Sequence, residues 1–221
     1  NDILSQRNSL LKEIQMGRGD RTLLDIYDEQ LAEHGTEISI FREQYTDILR
    51  ECAKRVFFDM SRGHEYMTLI YSSSIFDDLK RPEKEKLKEK YIEKLTSSRE
   101  EDINLGYTTA GPHRDDFIIY VNDLNLREYG SQGQQRSVAL SLKIAQAEVV
   151  KRLTGEAPVV LLDDALSEID KRRQIYVMNE IADMQVFLTC CDSLVALDAR
   201  VGNLYAIQRG VIVEFIDNLK K

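Results

Sequence analysis

"VVLLDDALSEID", Val159–Asp170, sets four apolar residues ahead of two adjacent carboxylates, Asp163 and Asp164, and runs on through Ser167, Glu168 and Asp170. An apolar run without alternation, opening after Pro158, predicts a parallel strand covered on both faces. Its two acids then fall at the carboxyl end of that strand, the place where ligands collect in α/β sheets. Neighbouring carboxylates raise each other's pKa unless a cation or hydrogen-bond donors compensate them. A hard divalent ion, Mg²⁺, answers that repulsion: one carboxylate holds it directly or through water, and the other orients or deprotonates an attacking water. The competing reading is an acidic N-terminal cap for the helix that follows.

Upstream, "SQGQQRSVALSLKIAQ" predicts a helix from about Ser131, with Val138, Leu142, Ala145 and Val149 on one face. Ser131 is a suitable N-cap, and Gln134 three residues on completes a capping-box pattern. Helix starts favour Asp and Glu because the dipole leaves partial positive charge there. This one offers only Gln132, Gly133, Gln134, Gln135 and Arg136. An anion from outside would complete it, since Gly133 allows a phosphate to approach the backbone and Ser131 can donate to it. A plainly capped helix with a solvated first turn is the alternative. Taken together, a phosphate-seeking helix start and a metal-seeking strand end are the two receptors that nucleotide binding requires.

The rest of the chain frames these segments. Residues 1–16 carry a partial helical stripe (Ile3, Leu4, Leu10, Leu11, Ile14) that begins without a cap, and a second stripe runs through Phe41, Tyr45, Ile48, Cys52 and Val56. "EYMTLIYSSS" alternates as a strand from about Glu65, and Pro82 stands where a first helical residue belongs, opening a Lys/Glu-rich helix. From Gly106 the composition changes: "GYTTAGPHRDD" is loop-like, and "FIIYV", Phe117–Val121, is strand-like. Later come a helix from about Lys171, an apolar strand Val186–Thr189, and two strand-like runs around Arg209 and Gly210 that predict a closing hairpin. Alternating strands and helices predict an α/β class, with a mainly helical lobe over residues 1–100 and an α/β part over 101–221.

Composition narrows the function classes. At 221 residues with 43% hydrophobic content, the chain is long enough to bury a real core. No apolar run approaches the roughly 18 residues of a membrane span, and the first residues lack a secretory signal layout, so no membrane partner and a cytoplasmic location are expected. Three cysteines, Cys52, Cys190 and Cys191, fit neither a disulfide framework nor a spaced metal cluster. With 30 Lys and Arg against 38 Asp and Glu the formal charge is -8, so nucleic-acid contact requires local basic patches. "KRPEKEKLKEKYIEK", from Lys80, reads as a solvated face of paired charges; "DKRRQ", with Lys171, Arg172 and Arg173, is more one-sided and supplies candidate phosphate contacts.

At these residues the sequence resembles a known group. "YGSQGQQRSVALSLKIA" is similar to the signature motif of ABC-type and SMC-type ATPases, and "VVLLDDALSEID" to their Walker B strand with the adjoining D-loop. "GYTTAGPHRDDF", the S-x-G-Q signature, "LLDD" and "LSEID" together resemble the bacterial RecF recombination family over roughly residues 106–215. The resemblance implies the C-terminal half of an ABC/SMC-type P-loop ATPase head, a parallel sheet with flanking helices, beside a mainly helical second lobe. It implies that Ser131 and Gly133, with Gln134, meet the γ-phosphate of ATP held by the opposite subunit of an ATP-dependent homodimer. By the same resemblance Asp163 serves Mg²⁺, Asp164 takes the catalytic acid's place, and Ser167 and Asp170 lie in the loop that crosses the dimer interface. The implied biology is binding of gapped or junction DNA and recombinase loading with RecR and RecO.

Two departures qualify the match. No glycine of the chain is followed by lysine, so a P-loop is missing, and the expectation is a C-terminal fragment inactive in ATP hydrolysis by itself. Where ABC proteins place a switch histidine, "VFLTCCD" offers Cys191. His113, beside Arg114, is the only histidine inside the resemblance. Competing functions are an SMC/Rad50-like structural ATPase, which needs long heptad arms, and a Mg²⁺-dependent phosphohydrolase or receiver-type domain built on Asp163 and Asp164.

Overall fold

The structure is a computed structural model that describes residues 2–80, 83–166, 169–191 and 202–216. The chain forms two compact units, one of Asn1–Ile48 with Leu69–Ile118 and the other of Leu49–Thr68 with Ile119–Lys221. These are not two consecutive stretches divided near residue 100. A single helix, α2 (Leu23–Met60), of 38 residues and so about 57 Å long, contributes its first part to one unit and its last turns to the other.

In the first unit, α1 (Asp2–Gln15) buries Leu10, Leu11 and Ile14, which cluster with Leu24 and with Ile103 of α4 (Arg99–Leu105). Gly106 ends α4 in the left-handed region, where its N–H reaches back to the Asp102 carbonyl at 2.8 Å. A second cluster joins Ala32 to Tyr71 of β1 (Met67–Ser72), to Ile75, Phe76 and Leu79, and to Tyr91 and Leu95 of α3 (Lys84–Ser97).

The stripe expected on α2 is only half realised. Cys52 and Val56 are buried, but Phe41 is 67% exposed and Ile48 is exposed as well. Along that part of the helix many buried positions are polar instead: Asp28, Thr36, Ser39, Glu43 and Thr46, beside Ala32 and Leu49. Apolar periodicity misses such a face because polar side chains fill it, and two of them, Asp28 and Thr46, are held by hydrogen bonds. Asp28 accepts from Arg7 and Arg99, and the Thr46 hydroxyl donates to the Arg42 carbonyl one turn back. The Lys/Glu-rich helix α3 starts at Lys84 after Glu83, while Pro82 lies outside the described residues. Its lysines do form a solvated charged face, but most of their partners belong to α2: Lys84 pairs with Glu33 and Glu37, and Lys88 with Glu29 and Glu33.

The sheet β1-β2-β3 continues with β2 (Asp116–Val121) and β3 (Leu124–Asn125), an antiparallel pair turned by Asn122 and Asp123. Both turn residues have positive φ, as a two-residue hairpin turn requires.

The second unit holds the rest of the α/β part. After the short α5 (Leu126–Tyr129) come α6 (Gln132–Thr154), β4 (Val160–Asp163), α7 (Lys171–Glu180) and β5 (Val186–Thr189). Its core gathers Val56 and Met60 of α2, Leu140 and Ile144 of α6, Leu162 of β4, Leu166, Ile169, and Val177 of α7. Arg55 adds ion pairs to Glu148 of α6 at 2.7 Å and Glu180 of α7 at 3.4 Å. Strands β4 and β5 pair in parallel, Val160 opposite Val186 through Asp163 opposite Thr189. The expectation of cover on both faces is not met by the described residues. Leu162 points into the core at 7% exposure, whereas Leu161 and Phe187 on the other face are 73% and 58% exposed. One layer of helix and core covers one side of this strand pair. The predicted hairpin is present as β6 (Leu204–Gln208) and β7 (Val211–Ile216), antiparallel, with Arg209 and Gly210 both at positive φ in its turn.

Candidate functional site

The first turn of α6 is built as its residue pattern predicts. Ser131 is the N-cap, its Oγ accepting from the Gln134 N–H at 3.2 Å while the Gln134 side-chain oxygen accepts from the Ser131 N–H at 3.0 Å. The turn contains no acidic residue. A Cβ placed on Gly133 would meet no atom within 4 Å, so the protein's own packing does not require glycine there. Glycine in a helix costs roughly 1 kcal/mol relative to alanine. Here that cost has no return inside the chain.

The acids sit where β4 ends. Asp163 is its last residue and lies in register with Thr189, the last residue of β5. The Thr189 hydroxyl donates to Asp163 Oδ1 and accepts from the Asp164 N–H at 3.0 Å. Asp164 adopts a left-handed φ of 47°, unfavourable for a side chain with a Cβ and characteristic of constrained functional backbone. Both carboxylates are exposed. The acid that caps the next helix is a different one: Asp170 Oδ1 accepts from the N–H groups of Arg172 and Arg173, so the capping alternative for the Asp163–Asp164 pair is not realised. A hollow of about 610 Å³ runs along α6 and β4 and ends at Asp163 and Asp164. Its walls are largely apolar, with Arg136 and Lys143 as the cationic exceptions.

The start of α6 is tied to the head of α7, beyond the paired acids, by Glu65, which pattern reasoning did not single out, and by Arg173, which it read as a phosphate contact. Glu65, between α2 and β1, accepts from Gln134 Nε2 at 2.7 Å and from Arg173 at 3.1 Å. Arg173 also donates to the Ser137 hydroxyl and pairs with Asp170 at 3.3 Å. Arg173 therefore faces the α6 start, and the basic surface at the head of α7 is carried by the exposed Lys171 and Arg172. Ser167 lies outside the described residues. Cys191 is an exposed free thiol two residues beyond β5. Glu65 sits in "SRGHEYM", where nothing marks it; Thr189 could have been found from the parallel register of two strands ending together.

The loop "GYTTAGPHRDD" belongs to the other unit. His113 bonds the Thr108 carbonyl at 3.0 Å, and the Arg114 guanidinium lies over the Tyr107 ring at 4.7 Å. Both side chains organise their own loop. Among the described residues, no group of three or more His, Cys, Asp or Glu side chains is placed to hold a metal, and no helix is long and apolar enough to cross a membrane.

No family model matches the sequence. Individual relatives do. A protein of Halothermothrix orenii, "DNA replication and repair protein RecF", is 42% identical over 219 residues, 97% of this chain and 58% of the relative. The Bacillus subtilis protein of the same description is 39% identical over 217 residues, 96% of this chain and 58% of its own length. Over nearly its whole length the chain is similar to the C-terminal part of RecF proteins. Two solved structures agree. That of the recombination mediator protein RecF with ATPrS superposes with a TM-score of 0.82 at 36% identity, covering 96% of this chain and 56% of that one. That of RecF with ATP gives 0.76 at 38% identity, over 87% and 51%. The chain thus shares the ABC-type α/β architecture of those RecF structures and spans about half the length of the relatives it matches.

Proposed function

We infer that this chain carries the signature and Walker B half-sites of an ATP-driven homodimer that acts as a cytoplasmic DNA replication and recombination mediator with RecR and RecO. Residues 119–221 together with 49–68 would form the C-terminal part of its ATPase head, and the other unit a mainly helical lobe. The observation that carries this reading is the acid-free, capped start of α6, with its unhindered Gly133, in the same unit as a strand end bearing Asp163 and Asp164.

Each residue has a defined task in this reading. Ser131 keeps its Oγ as acceptor for Gln134, so its O–H remains to donate to a γ-phosphate oxygen of ATP held by the opposite subunit. Gly133 leaves the backbone approachable at that point. Gln134, bonded on both sides, shapes the turn. Asp163 fits a Mg²⁺ ligand: Thr189 occupies one carboxylate oxygen and no other described residue bonds the side chain, while Mg²⁺ takes one or two carboxylates and completes its shell with water and substrate phosphate. When bound, the ion supplies neutralisation of phosphate charge. Asp164 orients water for attack and accepts its proton. Asp170 ends the loop that would cross to the partner subunit, and Lys171 and Arg172 would be the contacts for DNA phosphates.

Ser131→Arg tests the reading. In the full-length protein the larger cationic side chain should block the signature turn and abolish ATP-dependent dimers in sedimentation or light scattering. Dimers formed as in the unaltered protein would remove the signature assignment.

A further inference from the structure

We propose that Glu65 and Arg173 are positioning residues of the nucleotide half-site, a clasp that holds the signature turn against Asp170 and the head of α7. The proposal rests on the preceding reading of Ser131 and Asp163.

Glu65 is held by its own backbone, its N–H donating to the Ser61 hydroxyl just beyond the end of α2 and its carbonyl accepting from the same hydroxyl. Both of its side-chain oxygens are used. Oε1 takes the amide of Gln134, and Oε2 takes Arg173. Because the Gln134 oxygen accepts from the Ser131 N–H, the carboxylate decides which way that amide faces and so fixes the orientation of the N-cap. Arg173 extends the chain of contacts in the other direction. Its guanidinium meets Ser137 one turn into α6, and its Nε pairs with Asp170, the last residue of the loop that leaves Asp164. A planar fork serves three partners at once; an ammonium group cannot.

The clasp is not explained as a stability device. Both side chains are only partly buried, and ion pairs of that kind contribute little to folding. What it does determine is the placement of the signature turn, which would meet the partner's nucleotide, relative to Asp170, which ends the loop that would cross the dimer interface. Removing either side chain leaves each segment able to fold and frees one from the other.

The test compares Glu65→Ala, Arg173→Lys and the double variant in the full-length protein, with Ser131→Arg in parallel. Each single change is expected to weaken ATP-dependent dimerisation about tenfold, as loss of a charge-assisted hydrogen bond would. The double variant should be no weaker than the worse single, since both act through one unit. ATP affinity of the monomer should stay as in the unaltered protein, and any fall in melting temperature should be small and out of proportion to the loss of dimers. Unchanged dimerisation in both singles, or a loss that merely tracks a fall in melting temperature, overturns the clasp. Should Glu65→Ala fail to fold, Glu65→Gln and Arg173→Lys carry the same comparison. If Ser131→Arg abolishes dimers and the clasp variants do not, the clasp alone is wrong; if Ser131→Arg dimerises normally, the nucleotide reading itself fails.

Discussion

The Thr189 hydroxyl stands between the paired acids, donating to the Asp163 carboxylate while it accepts from the backbone N–H of Asp164. One side chain of β5 thereby touches both the carboxylate proposed to hold Mg²⁺ and the backbone of its neighbour, whose N–H also donates to the Thr189 carbonyl at 3.1 Å. Partners of metal-binding carboxylates typically alter metal affinity 10–100-fold when lost. Thr189→Val, which keeps the shape and removes the hydroxyl, should raise the Mg²⁺ concentration needed for ATP-dependent dimerisation about tenfold. Thr189→Ser should restore it. An unchanged Mg²⁺ requirement in the valine variant would show that Asp163 needs no such orientation.

Arg7 is fully buried and bridges two acids that are nearly as inaccessible: Asp28 at 2.7 Å and Asp102 at 2.7 Å. It also donates to the Thr108 hydroxyl at 2.8 Å, joining α1 to the start of the "TTAGPHRDD" loop. Breaking a buried pair leaves uncompensated charge and costs about 3–5 kcal/mol. Arg7→Ala should lower unfolding stability by that order in chemical denaturation, with the loss concentrated in the unit that contains α1. Arg7→Lys should recover less than half, because one ammonium cannot reach both carboxylates at the fork's spacing. A cost below about 1 kcal/mol, the range of an exposed pair, would show that Asp28 and Asp102 find other donors when Arg7 is gone.

How much of this was legible beforehand depends on the kind of signal. The cap at Ser131, the strand ending at Asp163 and the hairpin turn at Arg209 and Gly210 rest on local rules of capping, apolar runs and turn chemistry, and each appears in place. The inner face of α2 was not legible, because Thr36, Ser39 and Glu43 are buried where apolar periodicity looks for leucine. Arg173 looked like a surface cation because charge runs carry no information about distant partners, and its carboxylate, Glu65, lies on another segment of the chain. The same holds for Thr189, whose meaning arises only once two strands are in register. Site residues defined by a local motif were visible; those defined by a long-range contact were not.

Tyr71 provides a pH-dependent prediction. Its hydroxyl donates to Asp115, which also accepts from the Ser74 N–H and hydroxyl. Burial, followed by the bond to the Asp115 carboxylate, pushes the phenol up to about 12 from an ordinary value of 10.0. A raised phenol pKa means that the folded protein keeps a proton that the unfolded chain gives up. The contribution is therefore complete below about pH 10 and is lost as pH rises through about 12. Two units correspond to about 2–3 kcal/mol. Urea unfolding followed from pH 8 to 12 should show stability falling above pH 10, and Tyr71→Phe should remove that share of the slope. At neutral pH the same variant should cost about 1–2 kcal/mol for the lost bond to a charged acceptor. Tyr66 and Tyr91 are shifted upward too, so the slope of the variant will not vanish. Equal slopes in the two proteins would mean that the Tyr71 phenol ionises alike in the folded and unfolded chains, and that its contact with Asp115 contributes nothing to the alkaline transition.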